Sequence, residues 1–138
     1  MSDIFSKLNL KSEKTILVLA APVSFERELA RLVGTKVERS LSGTRQFTFA
    51  VAFVTQKSVV DRLSGLLAAQ AAGDAILWFA YPKGSSKNLS CDFNRDSGWD
   101  VIKKAGWDSV RQVAIDEDWC ALRFRRREFI SRPAKRNV

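Results

Sequence analysis

The stretch AILWFAYPKGSSK, residues 75–87, runs apolar and then breaks at Tyr81-Pro82 into Lys83, Gly84, Ser85, Ser86 and Lys87. Ammonium groups and hydroxyls gathered around a glycine could grip phosphate. The same residues also make an ordinary exposed turn, in which Pro82 stops a strand, Gly84 supplies an unusual backbone angle and the lysines solvate the tip. The segment is not a P-loop. That pattern needs two glycines spaced ahead of Lys-Ser/Thr and a following helix, whereas Gly84 is followed by Ser-Ser-Lys-Asn-Leu.

Carboxylates supply the next candidates. Asp92-x-Asn94-x-Asp96 resembles the start of a calcium loop, but Ser97 stands where glycine is required and Lys103 where the closing glutamate is required. No metal site is assigned. Asp116-Glu117-Asp118 could bind a cation or serve as acid and base, or simply form an Asp-rich turn. Asp116 could also pair with Arg123 or Arg125 across a hairpin. Trp119 alternates with Ala121, Arg123 and Arg125, so it is either a core residue or an aromatic beside arginines, suited to stacking on single-stranded nucleic acid.

Other chemistries are closed. The chain of 138 residues contains no histidine, which removes Ser-His and Cys-His nucleophile pairs and every zinc site that uses imidazole. Two cysteines, Cys91 and Cys120, cannot make an all-thiolate zinc site or a disulfide framework. They read as small buried residues in a reducing, cytoplasmic protein. No apolar stretch approaches the roughly 18 residues of a membrane span, and the polar N-terminal residues lack a secretory h-region.

The net charge is +8 and is unevenly placed. Arg123, Arg125, Arg126, Arg127, Arg132, Lys135 and Arg136 face only Glu128, while the rest of the chain is close to neutral. Such a run is either a solubilising tail or a surface for anionic partners.

These residues need elements to position them. Thr15–Ala20 is a short apolar strand. Ser24 resembles an N-cap, followed by a helical face of Phe25, Leu29, Leu32 and Val33 that Gly34 ends. A short edge strand is expected near Val37. Phe47–Val54 alternates, with Phe47, Phe49, Val51 and Phe53 on one face. Val59, Leu63, Leu66 and Leu67 mark a helix to about Ala72, with Gly73 as its stop. Ala75–Ala80 reads as a central strand covered on both faces. Ser97 with Asp100 resembles a capping box for a short helix to Ala105. Val110–Asp116 and Trp119–Arg125 are too close for a helical crossover, so they form an antiparallel hairpin.

The order β-α-β-α-β-α-β-β predicts a single three-layer Rossmann-like α/β domain over 1–127. Its sheet is mainly parallel and ends in a hairpin, and a basic tail covers 128–138. Ligands of such sheets sit outside the carboxyl ends of the strands. Glu26, Glu28, Asp96 and Asp100 make two of the helix starts there unfavourable to anions, which leaves Lys57 with Lys83, Ser85, Ser86 and Lys87.

Three segments carry a family resemblance. Trp78, Tyr81, Pro82 and Lys83, then Asp92, Arg95, Asp96 and Trp99, then Asp116, Trp119, Ala121, Leu122, Arg123, Phe124 and Arg125 resemble the motifs of a bacterial family of small α/β proteins with no assigned activity. Cys120 replaces that family's usual serine. The resemblance covers nearly the whole chain and implies the fold. The chain is also distantly similar to the second half of a class I methyltransferase, where an apolar strand likewise follows a helix and a glycine turn, and a terminal hairpin closes the sheet. The glycine-rich cofactor loop after the first strand is absent: the chain reads LAAPVS there.

The expectation is therefore a non-enzymatic binding module for an anionic partner, phosphate-bearing or nucleic acid, with no cofactor assigned. Its ligand-binding residues would be Lys57, Tyr81, Lys83, Ser85, Ser86, Lys87, Asp116, Trp119 and Arg123. The alternative is a small degenerate transferase-like enzyme or cofactor-binding protein that uses the same carboxyl-end loops.

Overall fold

A computed structural model describes residues 4–41 and 46–130. Arg132, Lys135 and Arg136 of the expected basic tail lie outside the described residues. The strands are β1 (Thr15–Leu19), β2 (Lys36–Glu38), β3 (Phe47–Phe53), β4 (Ala71–Pro82), β5 (Trp107–Ala114) and β6 (Trp119–Arg126). They form one sheet in the order β2-β1-β3-β4-β6-β5. The first four pair in parallel, while β6 runs antiparallel to both β4 and β5. This is the α/β architecture that alternation in the sequence implies, hairpin included.

Helices cover both faces. Leu17, Ala50, Ala52, Leu77, Phe79 and Phe124 meet Val60, Leu63 and Leu67 of α3 (Lys57–Gln70) and Ile102 of α4 (Asp100–Lys104). Ile16, Val18, Phe49, Val51 and Trp78 meet Phe25 and Leu29 of α2 (Val23–Leu29) on the other face, together with Ile4 and Phe5 of α1 (Ile4–Lys7). The Trp78 indole N–H donates to the Leu8 carbonyl at 2.8 Å, which fixes the N-terminal segment to the sheet. Sequence patterning misses α1, because four residues are too few for a helical period to show.

Several boundaries move for identifiable reasons. α2 starts after Pro22 and not at a Ser24 cap, and it stops at Leu29, leaving Val33 93% exposed. The buried stripe of α3 is Val60, Leu63, Ser64 and Leu67, while Leu66 faces solvent. Ser64 tolerates complete burial because its hydroxyl donates to the Val60 carbonyl at 2.7 Å. β4 follows α3 directly, and the pairing of β3 with β4 jumps from Phe47↔Ala71 to Phe49↔Ile76. The extra residues bulge at Gly73, whose φ of 54° favours glycine. The same irregularity moves Phe47 to the α3 side of the sheet, away from Phe49, Val51 and Phe53. Ser97 does not cap α4: Trp99 holds the cap position, and the Ser97 hydroxyl lies 3.3 Å from Asn94 Oδ1. Gly98 (φ 98°) is required there, since a Cβ would sit 2.7 Å from Phe93 Cβ.

Candidate functional site at the carboxyl ends of β4 and β6

Two crevices could hold a ligand on the carboxyl-end side of this sheet. The first is the switch point between β1 and β3, where the strand order reverses. α2 begins there almost at once, and its Phe25 ring packs 4.9 Å from Phe53, which in turn lies 5.1 Å edge-on from Trp119. Aromatic rings occupy the space beneath that crevice. At its mouth Ala20 adopts a φ of 57°, a left-handed conformation that glycine takes freely and alanine does not.

The second crevice opens one strand further along, over β4 and β6. A cavity of about 730 Å³ is lined by Tyr81, Lys83, Ser85, Ser86, Cys91, Arg95, Gln112 and Cys120, among others. Its floor is a polar relay. Gln112, on β5, donates from Nε2 to the Tyr81 hydroxyl at 3.1 Å and to Cys120 Sγ at 2.9 Å. Its Oε1 accepts from Arg95 Nη1 at 3.1 Å. Burial, reinforced by the Cys120 thiol, pushes the Tyr81 phenol well above its ordinary value, so it stays a protonated hydroxyl. Burial likewise raises the Cys91 thiol, which removes thiolate character at neutral pH. Arg95 has one loose carboxylate neighbour, Asp96 at 3.6 Å, and the Lys83 ammonium has no acceptor among the described residues.

The rim is built by hydrogen bonds to the β5–β6 turn. The Ser86 hydroxyl donates to Asp118 Oδ1 at 2.8 Å and accepts from the amides of Asn88 and Leu89. The Lys83 amide donates to the Asp118 carbonyl at 2.8 Å. Ser86 is thus a loop organiser, its oxygen already engaged. Ser85 stands exposed beside it on the lining.

The remaining expected site residues are placed elsewhere. Lys57 does not join Lys83: its ammonium contacts Asp61 at 2.8 Å and Asp100 at 3.5 Å. Lys87 is exposed and does not line the cavity. Asp116 pairs with neither Arg123 nor Arg125. Its Oδ1 accepts from the amides of Asp118 and Trp119, both at 2.9 Å, and its Oδ2 accepts from the Ser24 hydroxyl. That is an Asx turn, set by the tight β5–β6 connection. Trp119 is buried against Phe53, so the packing role excludes stacking on a base. Arg123 lies on the opposite face of the sheet from the cavity, reaching Asn9 Oδ1 at 3.4 Å.

The start of the basic run is also occupied. Arg125 grips Asp74 through two bonds of 2.9 and 2.6 Å and holds that carboxyl below its usual range. Arg126 donates to the carbonyls of Ala68, Ala71 and Gly73 and covers Trp107 at 5.1 Å. Arg127 bonds Asp108 and the Lys103 carbonyl. These three arginines are structural clamps; a sequence shows their charge but not their acceptors. Sequence reasoning missed Gln112 and Cys91 as lining residues, because a polar residue on an edge strand and a loop thiol carry no pattern. Among the described residues no group of His, Cys, Asp or Glu could hold a metal ion, and no helix is long and apolar enough to cross a membrane.

No protein-family model and no curated protein matches the chain. Solved structures do. A SAM dependent methyltransferase from Aquifex aeolicus superposes with a TM-score of 0.64 at 12% identity, covering 88% of this chain and 87% of that one. The N-methyltransferase NodS from Bradyrhizobium japonicum WM9 gives 0.55 at 12% identity over 89% and 92%. A fibrillarin pre-rRNA processing protein from Methanococcus jannaschii gives 0.54 at 11% identity over 84% and 67%. At such identities the likeness is one of fold. The chain has the Rossmann-type fold of the methyltransferases.

Proposed function

We propose that this chain is a degenerate methyltransferase-like domain that binds a small anionic molecule in the cavity over β4 and β6. The observation that carries the reading is the pairing of a cavity of about 730 Å³ with an unengaged Lys83 ammonium and the Gln112-held Arg95 guanidinium on its wall. Phe93 and the Tyr81 ring add apolar surface beside the uncharged polar floor, so an anionic group at the rim and an uncharged body beneath it fit together. Few residues make this site: Lys83, Ser85 and Arg95 meet the anion, and Tyr81 and Gln112 set the floor.

A second reading, binding of an S-adenosyl ligand at the β1–β3 crevice, is favoured by the fold likeness and by the left-handed backbone at Ala20. Against it stand the LAAPVS sequence and the Phe25–Phe53–Trp119 stack.

A thermal-shift panel of S-adenosylmethionine, S-adenosylhomocysteine, nucleotides and sugar phosphates at two salt concentrations tests both. A ligand at about 100 times its dissociation constant adds roughly 2.7 kcal/mol, a shift of several degrees. The cavity reading expects a salt-resistant shift with a small anion, lost in Lys83→Ala and Arg95→Ala. A shift with S-adenosyl compounds that survives both variants moves the site to the β1–β3 crevice. No shift with any compound in the panel sinks both readings for those ligand classes.

A further inference from the structure

The hairpin carries a second concentration of positive charge on the face opposite the cavity. Up to Ser109↔Phe124 the pairing of β5 with β6 is regular; it then slips by one residue at Val110, so that Arg111 lies directly opposite Arg123. Without that bulge Val110 would occupy the position. Bulges of this kind re-aim a side chain, and here the result is two guanidinium groups side by side, with Arg125 two residues further along the same face.

Like charges directly opposite one another destabilise a sheet. Within the described residues the relief is partial: the Asp74 charge favours the Arg123 guanidinium but makes no hydrogen bond to it. Asp74, the carboxylate on this face of β4, is taken by Arg125. Arg123 has one long bond, to Asn9 Oδ1, and its Nε is buried with no acceptor. Arg111 is exposed and has neither a carboxylate nor a carbonyl partner. The half-buried position of Arg123 and the repulsion from Arg125 and Arg111 both disfavour its charge. A fold that aims a second arginine at such a residue leaves a place for an external anion.

We infer that Arg111 and Arg123 form a phosphate-binding site on the outer face of the β5–β6 hairpin, separate from the cavity over β4. Two forked donors on directly opposed residues suit a tetrahedral oxyanion better than a single chloride. The phosphoryl group could come from a small phosphoester or from a nucleic-acid backbone.

The test compares the unaltered chain with Arg111→Gln, which is solvent-exposed and removes one charge without unpacking the core. Melting temperatures are read in inorganic phosphate and in chloride at matched ionic strength. Phosphate also stabilises proteins by exclusion from their surface, so the decisive quantity is the difference between the two chains. The expected result is an extra, saturable phosphate shift in the unaltered chain, lost in Arg111→Gln and retained in Lys83→Ala. Arg111→Gln should also melt higher than the unaltered chain in dilute chloride, because the repulsion is relieved. Binding of a labelled single-stranded oligonucleotide is followed in parallel. If the site reads a nucleic-acid backbone, the slope of log affinity against log salt falls by about 1 in Arg111→Gln. A lost shift with an unchanged slope assigns the site to small phosphoesters. An equal phosphate shift in both chains, with an unchanged slope, overturns the inference.

Discussion

Ala20 holds a φ of 57° at the end of β1, where an L side chain costs about 1–2 kcal/mol relative to glycine. Ala20→Gly removes that strain and returns part of the gain as unfolded-state entropy. The expected net effect is stabilisation of about 1 kcal/mol, read as a higher urea midpoint with an unchanged slope. Tyr81 gives a second residue-level expectation, and it is the only tyrosine in the chain, so tyrosinate absorbance reports it alone. Burial, then the Cys120 thiol, raises its pKa above the ordinary 10.0. The folded state therefore keeps its proton at a pH where the unfolded state has lost it. Stability from this group is complete below pH 10.0 and declines as pH climbs from there toward the folded value. Tyr81→Phe should flatten that alkaline decline. Equal slopes in the two proteins would show that the phenol is not held as the structure has it.

At the scale of elements, the end of α3 and the bulge opening β4 depend on one distant side chain. Arg126, on β6, donates to three carbonyls at the helix terminus and the bulge. Arg126→Ala should cost about 2 kcal/mol, since bonds to charged donors contribute roughly 1.5–3 kcal/mol and this one is partly solvated. Arg126→Lys should recover little, because an ammonium lacks the fork that spans three acceptors. Denaturation midpoints decide this. The loop of residues 83–90 depends in the same way on Asp118, which anchors Ser86 and Asn88. In Asp118→Ala, amide exchange should rise across that loop and leave β3 and β4 protected.

Across the whole molecule, the charge of +8 is divided by the fold into engaged and unengaged parts. Arg125, Arg126 and Arg127 are held by Asp74, by carbonyls and by Asp108. If the C-terminal run attracts polyanions, the attraction belongs to Arg123, Arg132, Lys135 and Arg136. A chain ending at residue 130 should then bind single-stranded DNA more weakly and with a shallower salt slope, at an unchanged melting temperature. A drop in melting temperature would instead show that residues 131–138 contribute to the fold.

The residues by themselves determined the class of architecture. Alternation in FTFAVAF, the unbroken run around Trp78 and the short link between β5 and β6 are local signals, and each states how its segment must be buried or paired. Periodicity is a property of neighbouring residues, so strands, the longer helices and the closing hairpin were legible. Composition closed imidazole chemistry in the same direct way. The tertiary structure decided what the polar residues do. Lys57 and Lys83 are equivalent in the sequence as lysines at strand ends, yet Asp61 and Asp100 claim the first and no acceptor among the described residues claims the second. Asp116 folded back onto its own turn, Trp119 went into the core, and Gln112 joined Tyr81, Cys120 and Arg95 from an edge strand. Even the opposition of Arg111 and Arg123 rests on a one-residue bulge. Charge and hydrogen bonding act between groups brought together by the fold, at separations along the chain that no local pattern records.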